Sequence, residues 1–433
     1  MAHDVTVGDG AFHELWYAAA AGAPGRPALA AGNRTLRYAE VDALVGRVAA
    51  ALVRDGVRTG ARVLLALPPG VHLVAGALAA LRVGAVVVPL DPARGADHAA
   101  RVAEAMRPAV TVAATEAAAA VAEVTRATGS TVVEARAVDA APRLLRLLAR
   151  LAQPARVLQA PPRGCVRWSR WVTGAAAADF PSPGPDDEAL VGVAPDGDGR
   201  VHVFRHRALC FGAEQLRAWV SDALPGAETW LVLAPLASPS GFVAALGTVP
   251  LLRARLALVP TAAPEHVLDA LRYLRPTHVF SAREQVASLL GVRGLLGADV
   301  RSVRTWLVSD PLSGELVEQF EGLAGVSPCQ GLAVACSAGL VACNPVNGRR
   351  VPGSVGVPMP GTDVRLTGPA GTSDRGGSLG LLQVRAPNVV PVGAWCGTGL
   401  TAGIDDAGFV RLVTPLAGDP APGRATATAA GAA

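Results

Sequence analysis

Along residues 12 to about 139 the apolar positions switch repeatedly between two periods. "YAEVDALVGRVAAALVRDGV", starting at Tyr38, places its apolar residues on one helical face. "ARVLLAL" and "AVVVPL" are short uninterrupted apolar runs rich in Val and Leu, as expected of buried strands, and "HLVAGALAALRVG" between them reads as a helix. A strand, a helix and a second buried strand form a βαβ unit. Such units predict a mainly parallel sheet with helices on both faces. The same alternation resumes between Glu188 and about Pro360, with "TWLVLAPL", "ARLALVP", "THVFSA" and "RTWLVSD" as strands and "PEHVLDALRYL" as a helix between two of them. From Gly361 onward, short strands separated by Gly and Pro turns predict a small β unit. The predicted organisation is therefore an α/β subdomain with a basic linker over 1–185, a second α/β subdomain over 186–360, a small β subdomain over 361–415 and a disordered tail over 416–433.

The most apolar stretch, Val63 to Leu90, is cut by Pro68-Pro69-Gly70 and by Arg82-Val83-Gly84. A spanning helix needs about 20 apolar residues without such breaks, so this stretch predicts core and no membrane span. The first ten residues lack a basic start followed by an apolar run, and six scattered cysteines in 433 residues give no disulfide framework. A cytoplasmic protein is the expectation. The net charge of +4 calls for no nucleic acid. All 39 basic residues are Arg and none is Lys, so no lysine electrophile, Schiff base or P-loop lysine can come from this chain. One segment, Pro142 to Trp171, carries seven Arg and no acid. It reads either as a solvated surface connection or as a docking surface for an acidic partner, with Arg143, Arg146 and Arg150 as the contact candidates.

At "LRVGAVVVPLDP" (Leu81–Pro92) the sequence resembles the adenylate-forming, AMP-binding superfamily of acyl-CoA synthetases and nonribosomal peptide synthetase adenylation domains. The resemblance continues in order through "RTLRYAEVDALVGRVAAALVRDGVRTGARVLLALPPG", "PDDEALV", "HRAL", "APLASPSGFVAAL", "LDALRYLRPTHVFSA", "PGSVGVPMPGTDVRL" and "TGLTAGIDDAGFVRLV". It implies the large N-terminal domain of such an enzyme: two mainly parallel α/β subdomains plus a small β subdomain. It also implies activation of a carboxylate with ATP and transfer of the acyl group to a thiol. That chemistry needs backbone N–H groups and hydroxyls around the phosphates, a carboxylate for Mg²⁺ and cations against developing charge.

Measured against that pattern, the implied site is depleted. The phosphate loop corresponds to "VGVAPDGDGRVHVF": Gly197 and Gly199 remain, Arg200 stands in the place of the lysine, the hydroxyls are gone, and Asp196 and Asp198 bring negative charge. A hairpin turn between two strands is the plainer reading of this loop. In "QGLAVACSA", Gln330 and Gly331 match. Leu332 replaces the aromatic near adenine, and Cys336 replaces the Mg²⁺-binding carboxylate with a thiol too soft for that ion. Leu400 stands where an Asp would hold the ribose hydroxyls, and Pro415 stands where an Arg would open the hinge. The resemblance places the family's catalytic lysine in a mobile C-terminal domain, and the expectation is that these 433 residues do not include that domain. At the acyl pocket, the resemblance assigns Ser238, Gly241 and Phe242. Losing one preorganised electrostatic group commonly costs on the order of 10²–10³ in rate, so several losses in one site weigh heavily against adenylation.

Cys329, Cys336 and Cys343 recur every seven residues, whereas zinc sites usually pair cysteines about two to four apart, so buried cysteines are the expectation. No HExxH, GxSxG or dinucleotide fingerprint is present. Three functional readings follow. The first is a catalytically degenerate relative that needs no cofactor and binds a small acyl, aminoacyl or carrier-bound intermediate, or scaffolds an active synthetase or synthase in specialised-metabolite biosynthesis. The second is an ATP- and Mg²⁺-dependent ligase with an unusual or partner-completed site. The third is an acyltransferase built on Cys336 with His202 or His206 as its base.

Overall fold

The computed structural model describes residues 5–32, 34–140, 159–173, 182–193, 201–292, 299–372 and 378–413. Arg143, Arg146 and Arg150, the loop with Gly197, Gly199 and Arg200, and the 416–433 tail lie outside the described residues.

Three sheets organise the chain. The first has seven strands, in the order Cys165–Arg167, Thr131–Glu134, Val110–Ala113, Arg62–Ala66, Val86–Leu90, Glu188–Val193 and Val201–Arg205. All its pairings are parallel except the last, in which Glu188–Val193 and Val201–Arg205 form an antiparallel pair. The second has nine strands, and its centre runs parallel through Cys329–Ala333, Thr305–Val308, His278–Ser281, Thr229–Val232, Arg255–Leu258 and Pro27–Ala31. The third is a four-stranded antiparallel sheet, Asp363–Thr372, Ser378–Arg385, Cys396–Ile404 and Val410–Leu412. This is the mixed α/β architecture with mainly parallel sheets and a small β unit that the periodicity predicts.

The sheets interleave along the sequence. Pro27–Ala31 and Arg34–Arg37 join the nine-stranded sheet, whereas Glu188–Val193 and Val201–Arg205 close the seven-stranded one. Strands therefore cross the expected division at residue 185 in both directions. A single hydrophobic cluster joins Val63 and Leu65 of one sheet to Trp230 and Leu256 of the other. Between them runs the helix Val71–Arg82, buried on all sides except at its last residue. That explains why its sequence is apolar all round rather than striped. The helix Tyr38–Arg54 is amphipathic by contrast, and the Glu40 carboxylate caps its start by accepting from the Arg37 N–H at 2.8 Å.

Part of the basic segment is anchored to the body. Cys165–Arg167 adds a strand to the edge of the seven-stranded sheet, Trp168 and Trp171 are buried, and the Trp171 Nε1–H donates to Asp55 at 2.7 Å. No helix among the described residues is long and apolar enough to cross a membrane.

Candidate functional site

In parallel sheets, ligands bind beyond the carboxyl ends of the strands. Here the ends of Val86–Leu90, Glu188–Val193, Thr305–Val308 and Cys329–Ala333 converge on a cleft of about 410 Å³. Its walls include Ser238 and the backbone run Ala333–Ala335 with Ser337, so the implied acyl-pocket gate and the "QGLAVACSA" stretch do meet in space.

Several backbone contacts fix that wall. Ser337 bridges to Val389, the Ala338 N–H donates to the Asn388 carbonyl at 2.8 Å, and the Val390 N–H donates to the Cys336 carbonyl at 2.8 Å. Behind it, the helix His206–Trp219 approaches so closely that a Cβ on Gly212 would stand 1.9 Å from the Ala338 carbonyl oxygen. Only glycine permits this approach.

The matched pair Gln330 and Gly331 serve the fold. Gln330 is buried, and its side-chain oxygen accepts from the Leu312 N–H at 3.2 Å. Gly331 lies within the strand Cys329–Ala333, opposite Cys343. Ser238 caps the helix Pro239–Val243, accepting from the Gly241 N–H at 3.1 Å and donating to the Pro235 carbonyl at 2.7 Å. A Cβ on Gly241 would stand 2.3 Å from that same carbonyl oxygen. Phe242 stacks on Phe12 in the core, 6.0 Å between ring centres, so it supports the cleft from behind rather than lining it.

Leu332 (3% exposed) and Cys336 (4%) belong to one apolar cluster with Leu382, Val384 and Val389, and Leu400 packs against it. The positions where the resemblance implies an adenine-stacking ring, a metal-binding carboxylate and a ribose-binding carboxylate are thus gathered into a small hydrophobic core. The side chains of Cys336 and Leu400 offer no oxygen to a hard cation or a ribose. Cys336 Sγ meets Cys396 Sγ at 2.7 Å, and burial, reinforced by the neighbouring thiol, pushes the Cys336 thiol far up. An activated nucleophile requires the opposite shift. His206 is engaged elsewhere: its Nδ1 accepts from the Phe12 N–H at 3.1 Å, and burial brings it down to about 4. His202 lies on the sheet-edge strand with its ring against Phe204.

Sequence reasoning did not single out the charged lining. Arg94, His98, Glu284 and Asp310 all border the cleft. Burial pushes Asp310 up, against the pull of its hydrogen bond from Ser309 at 2.7 Å. Burial pushes His98 down, helped by Arg94 and Arg101. The available signal was positional, since Asp91–Arg94 and Ser309–Asp310 directly follow strand ends. Cys396, 60 residues from Cys336, carried no local signal.

Fold and cleft together define the large α/β domain of an adenylate-forming enzyme. The sequence profile of the AMP-binding enzyme family matches residues 16–191 and 201–392, and the chain belongs to that family. It is 28% identical over 375 residues to the 3-hydroxybenzoate–CoA ligase of Aromatoleum sp. strain CIB, covering 81% of this chain and 64% of the ligase. It is 42% identical over 78 residues to novobiocin biosynthesis protein H of Streptomyces niveus, covering 18% of this chain and 13% of that protein. The chain thus spans less than two thirds of each of these curated relatives. Its fold is similar to that of ATP-bound MatB from Rhodopseudomonas palustris (TM-score 0.75, 22% identity, covering 92% of this chain and 78% of MatB). It is also similar to the inhibitor-bound N-terminal domain of FACL13 from Mycobacterium tuberculosis (TM-score 0.73, 18% identity, covering 94% and 100%).

Proposed function

We propose that this chain is a catalytically degenerate member of the AMP-binding family that uses its cleft to hold a small acyl, aminoacyl or carrier-bound intermediate, or to scaffold an active synthetase. The observation that carries this reading is the apolar cluster of Leu332 and Cys336 with Leu400 packed against it. Desolvating a triphosphate and its metal against such a surface costs more than the surface returns. These 433 residues contain no lysine, so none of them supplies an ammonium to a developing oxyanion. Relatives that include "Syringomycin synthase SyrB1" of Pseudomonas syringae and a hybrid PKS-NRPS synthetase of Thermothelomyces thermophilus support a biosynthetic setting with a carrier protein as partner.

The test is isothermal titration of the folded protein with ATP and Mg²⁺ beside an active ligase. No saturable heat is the expected outcome, with folding verified by circular dichroism. Saturable binding would overturn the reading.

A second reading has its own observation. Asp310 and Glu284 place two carboxylates on the cleft, and Arg94 adds a cation. Those oxygens could hold Mg²⁺ from a direction different from the family's, which would suit a ligase with a rebuilt site. This reading expects pyrophosphate release with a panel of aromatic and short aliphatic acids, and its loss in Asp310→Asn.

A further inference from the structure

Cys336 and Cys396 come from different sheets. Cys336 follows the last central strand of the nine-stranded sheet and sits between Ala335 and Ser337, both of which line the cleft. Cys396 opens the strand Cys396–Ile404 of the four-stranded sheet. Sixty residues of chain separate them, yet their sulfur atoms are 2.7 Å apart and both thiols are free. The two are unequally placed. Cys336 is buried among apolar side chains, whereas Cys396 is half-buried at the edge of the same cluster, and its thiol also donates to the Gly397 carbonyl at 3.7 Å. An oxidant arriving from solvent therefore meets Cys396 first, with a resolving thiol already against it. A partly exposed thiol set directly against a resolving thiol is one feature of redox-responsive cysteine pairs. The remaining cysteines near the cleft, Cys329 and Cys343, are buried on strands of the nine-stranded sheet.

We propose that Cys336 and Cys396 form a reversible disulfide site, oxidised by peroxides, that clamps the four-stranded sheet to the cleft wall. The Cys396 sulfur attacks the terminal peroxide oxygen and becomes a sulfenic acid, while the proton of the thiol goes to the departing oxygen, which leaves as an alcohol, or as water from hydrogen peroxide. The Cys336 sulfur, already in contact at 2.7 Å, then attacks the sulfenic sulfur and forms the S–S bond while its proton passes to the sulfenic oxygen, which leaves as water; contact between the sulfurs, and not a free Cys336 thiolate, carries this step. Two thiols are oxidised by two electrons and one peroxide is reduced. A small dithiol reverses the step by exchange. The site operates whether or not the cleft binds nucleotide, so it stands apart from the functional proposal above.

The test uses the whole chain treated with hydrogen peroxide, alkylated and digested with trypsin without reduction. Cleavage after Arg gives the peptides Thr305–Arg349 and Ala386–Arg411, expected to be joined with loss of two hydrogens and separated by dithiothreitol. The first peptide also contains Cys329 and Cys343, so single variants assign the bridge. Cys336→Ser and Cys396→Ser should each abolish it, and Cys329→Ser and Cys343→Ser should retain it. Cys396→Ser changes the less buried partner, so it supplies a folded control if Cys336→Ser does not fold. Hydrogen exchange at residues 396–404 should slow at least about tenfold in the oxidised protein, because a clamped sheet opens locally less often. Absence of the joined peptide, a bridge to Cys329 or Cys343, or equal exchange in the two redox states would each overturn the proposal.

Discussion

Cys336 and Leu400 differ from the carboxylates that the family resemblance implies at their positions, and their surroundings have changed with them. Cys336 is enclosed by Leu332, Val384 and Val389, and Leu400 packs on the same cluster. Writing the carboxylates back should therefore not restore a site. Cys336→Glu places a charge in an apolar setting where the adjoining polar group is the uncharged Cys396 thiol. A group buried this way costs roughly several kcal/mol or takes up a proton instead. We expect Cys336→Glu to lower the urea midpoint sharply without producing ATP binding by titration. Leu400→Asp, at a half-buried position, should cost less, about 1 kcal/mol. A stable Cys336→Glu, Leu400→Asp double variant that binds ATP with Mg²⁺ would show that the nucleotide site is merely missing two ligands, and the cluster would then carry no functional meaning.

At the scale of elements, the helix His206–Trp219 sets the position of the cleft wall. An Ala in place of a helix-interior Gly ordinarily stabilises by about 0.5–1 kcal/mol, because Gly loses more backbone entropy on folding. At Gly212 the added methyl would collide with the Ala338 carbonyl oxygen, and forcing space in a packed interior costs about 1–3 kcal/mol. Gly212→Ala should therefore lower the denaturant midpoint, a sign opposite to the propensity effect. A raised midpoint would mean that the helix stands further from the wall. The elements themselves were legible in the sequence, because strands such as Val86–Leu90 are buried on both faces and so appear as unbroken apolar runs. Their sheet membership was not, since Pro27–Ala31 pairs with Arg255–Leu258 across more than half the chain and local pattern carries no record of a distant partner. Resemblance pointed, one position at a time, to Leu332, Cys336 and Leu400, which the fold gathers at one apolar cluster. The site was not legible where side chains from separate strands converge, as at Asp310 with His98 or Cys336 with Cys396.

Across the molecule, among the described residues, His72, His206 and His278 are buried and His13 is partly buried, and burial favours the neutral form of all four. Burial is the first cause of each shift: His13 falls to about 3, helped by His206 and Arg82, and His72, His206 and His278 each fall to about 4. In the unfolded chain each returns to its ordinary value of about 6.5. Between pH 6.5 and about 4 the unfolded state thus binds protons that the folded state does not, so stability rises with pH across that window. The stabilisation from these histidines is complete above pH 6.5 and is lost as pH falls towards their folded values. Asp310 acts with the opposite sign: burial raises it, so the folded state binds its proton more readily, and Asp139 is raised by burial in the same way. His98, lowered by burial, adds to the histidine effect, so the histidines outnumber the opposing carboxylates and set the sign. Urea denaturation at pH 7.5 and at pH 5.5 should give a clearly lower midpoint at the lower pH, with the slope unchanged because the exposed surface is the same. The His72→Gln variant should show a shallower dependence, since it removes one of the four titrating groups while its ring contact with Trp168 is lost at both pH values alike. A midpoint that stays level from pH 7.5 to 5.5 would require these histidines to titrate in the fold as they do in water, and the buried packing around them could not then be as described.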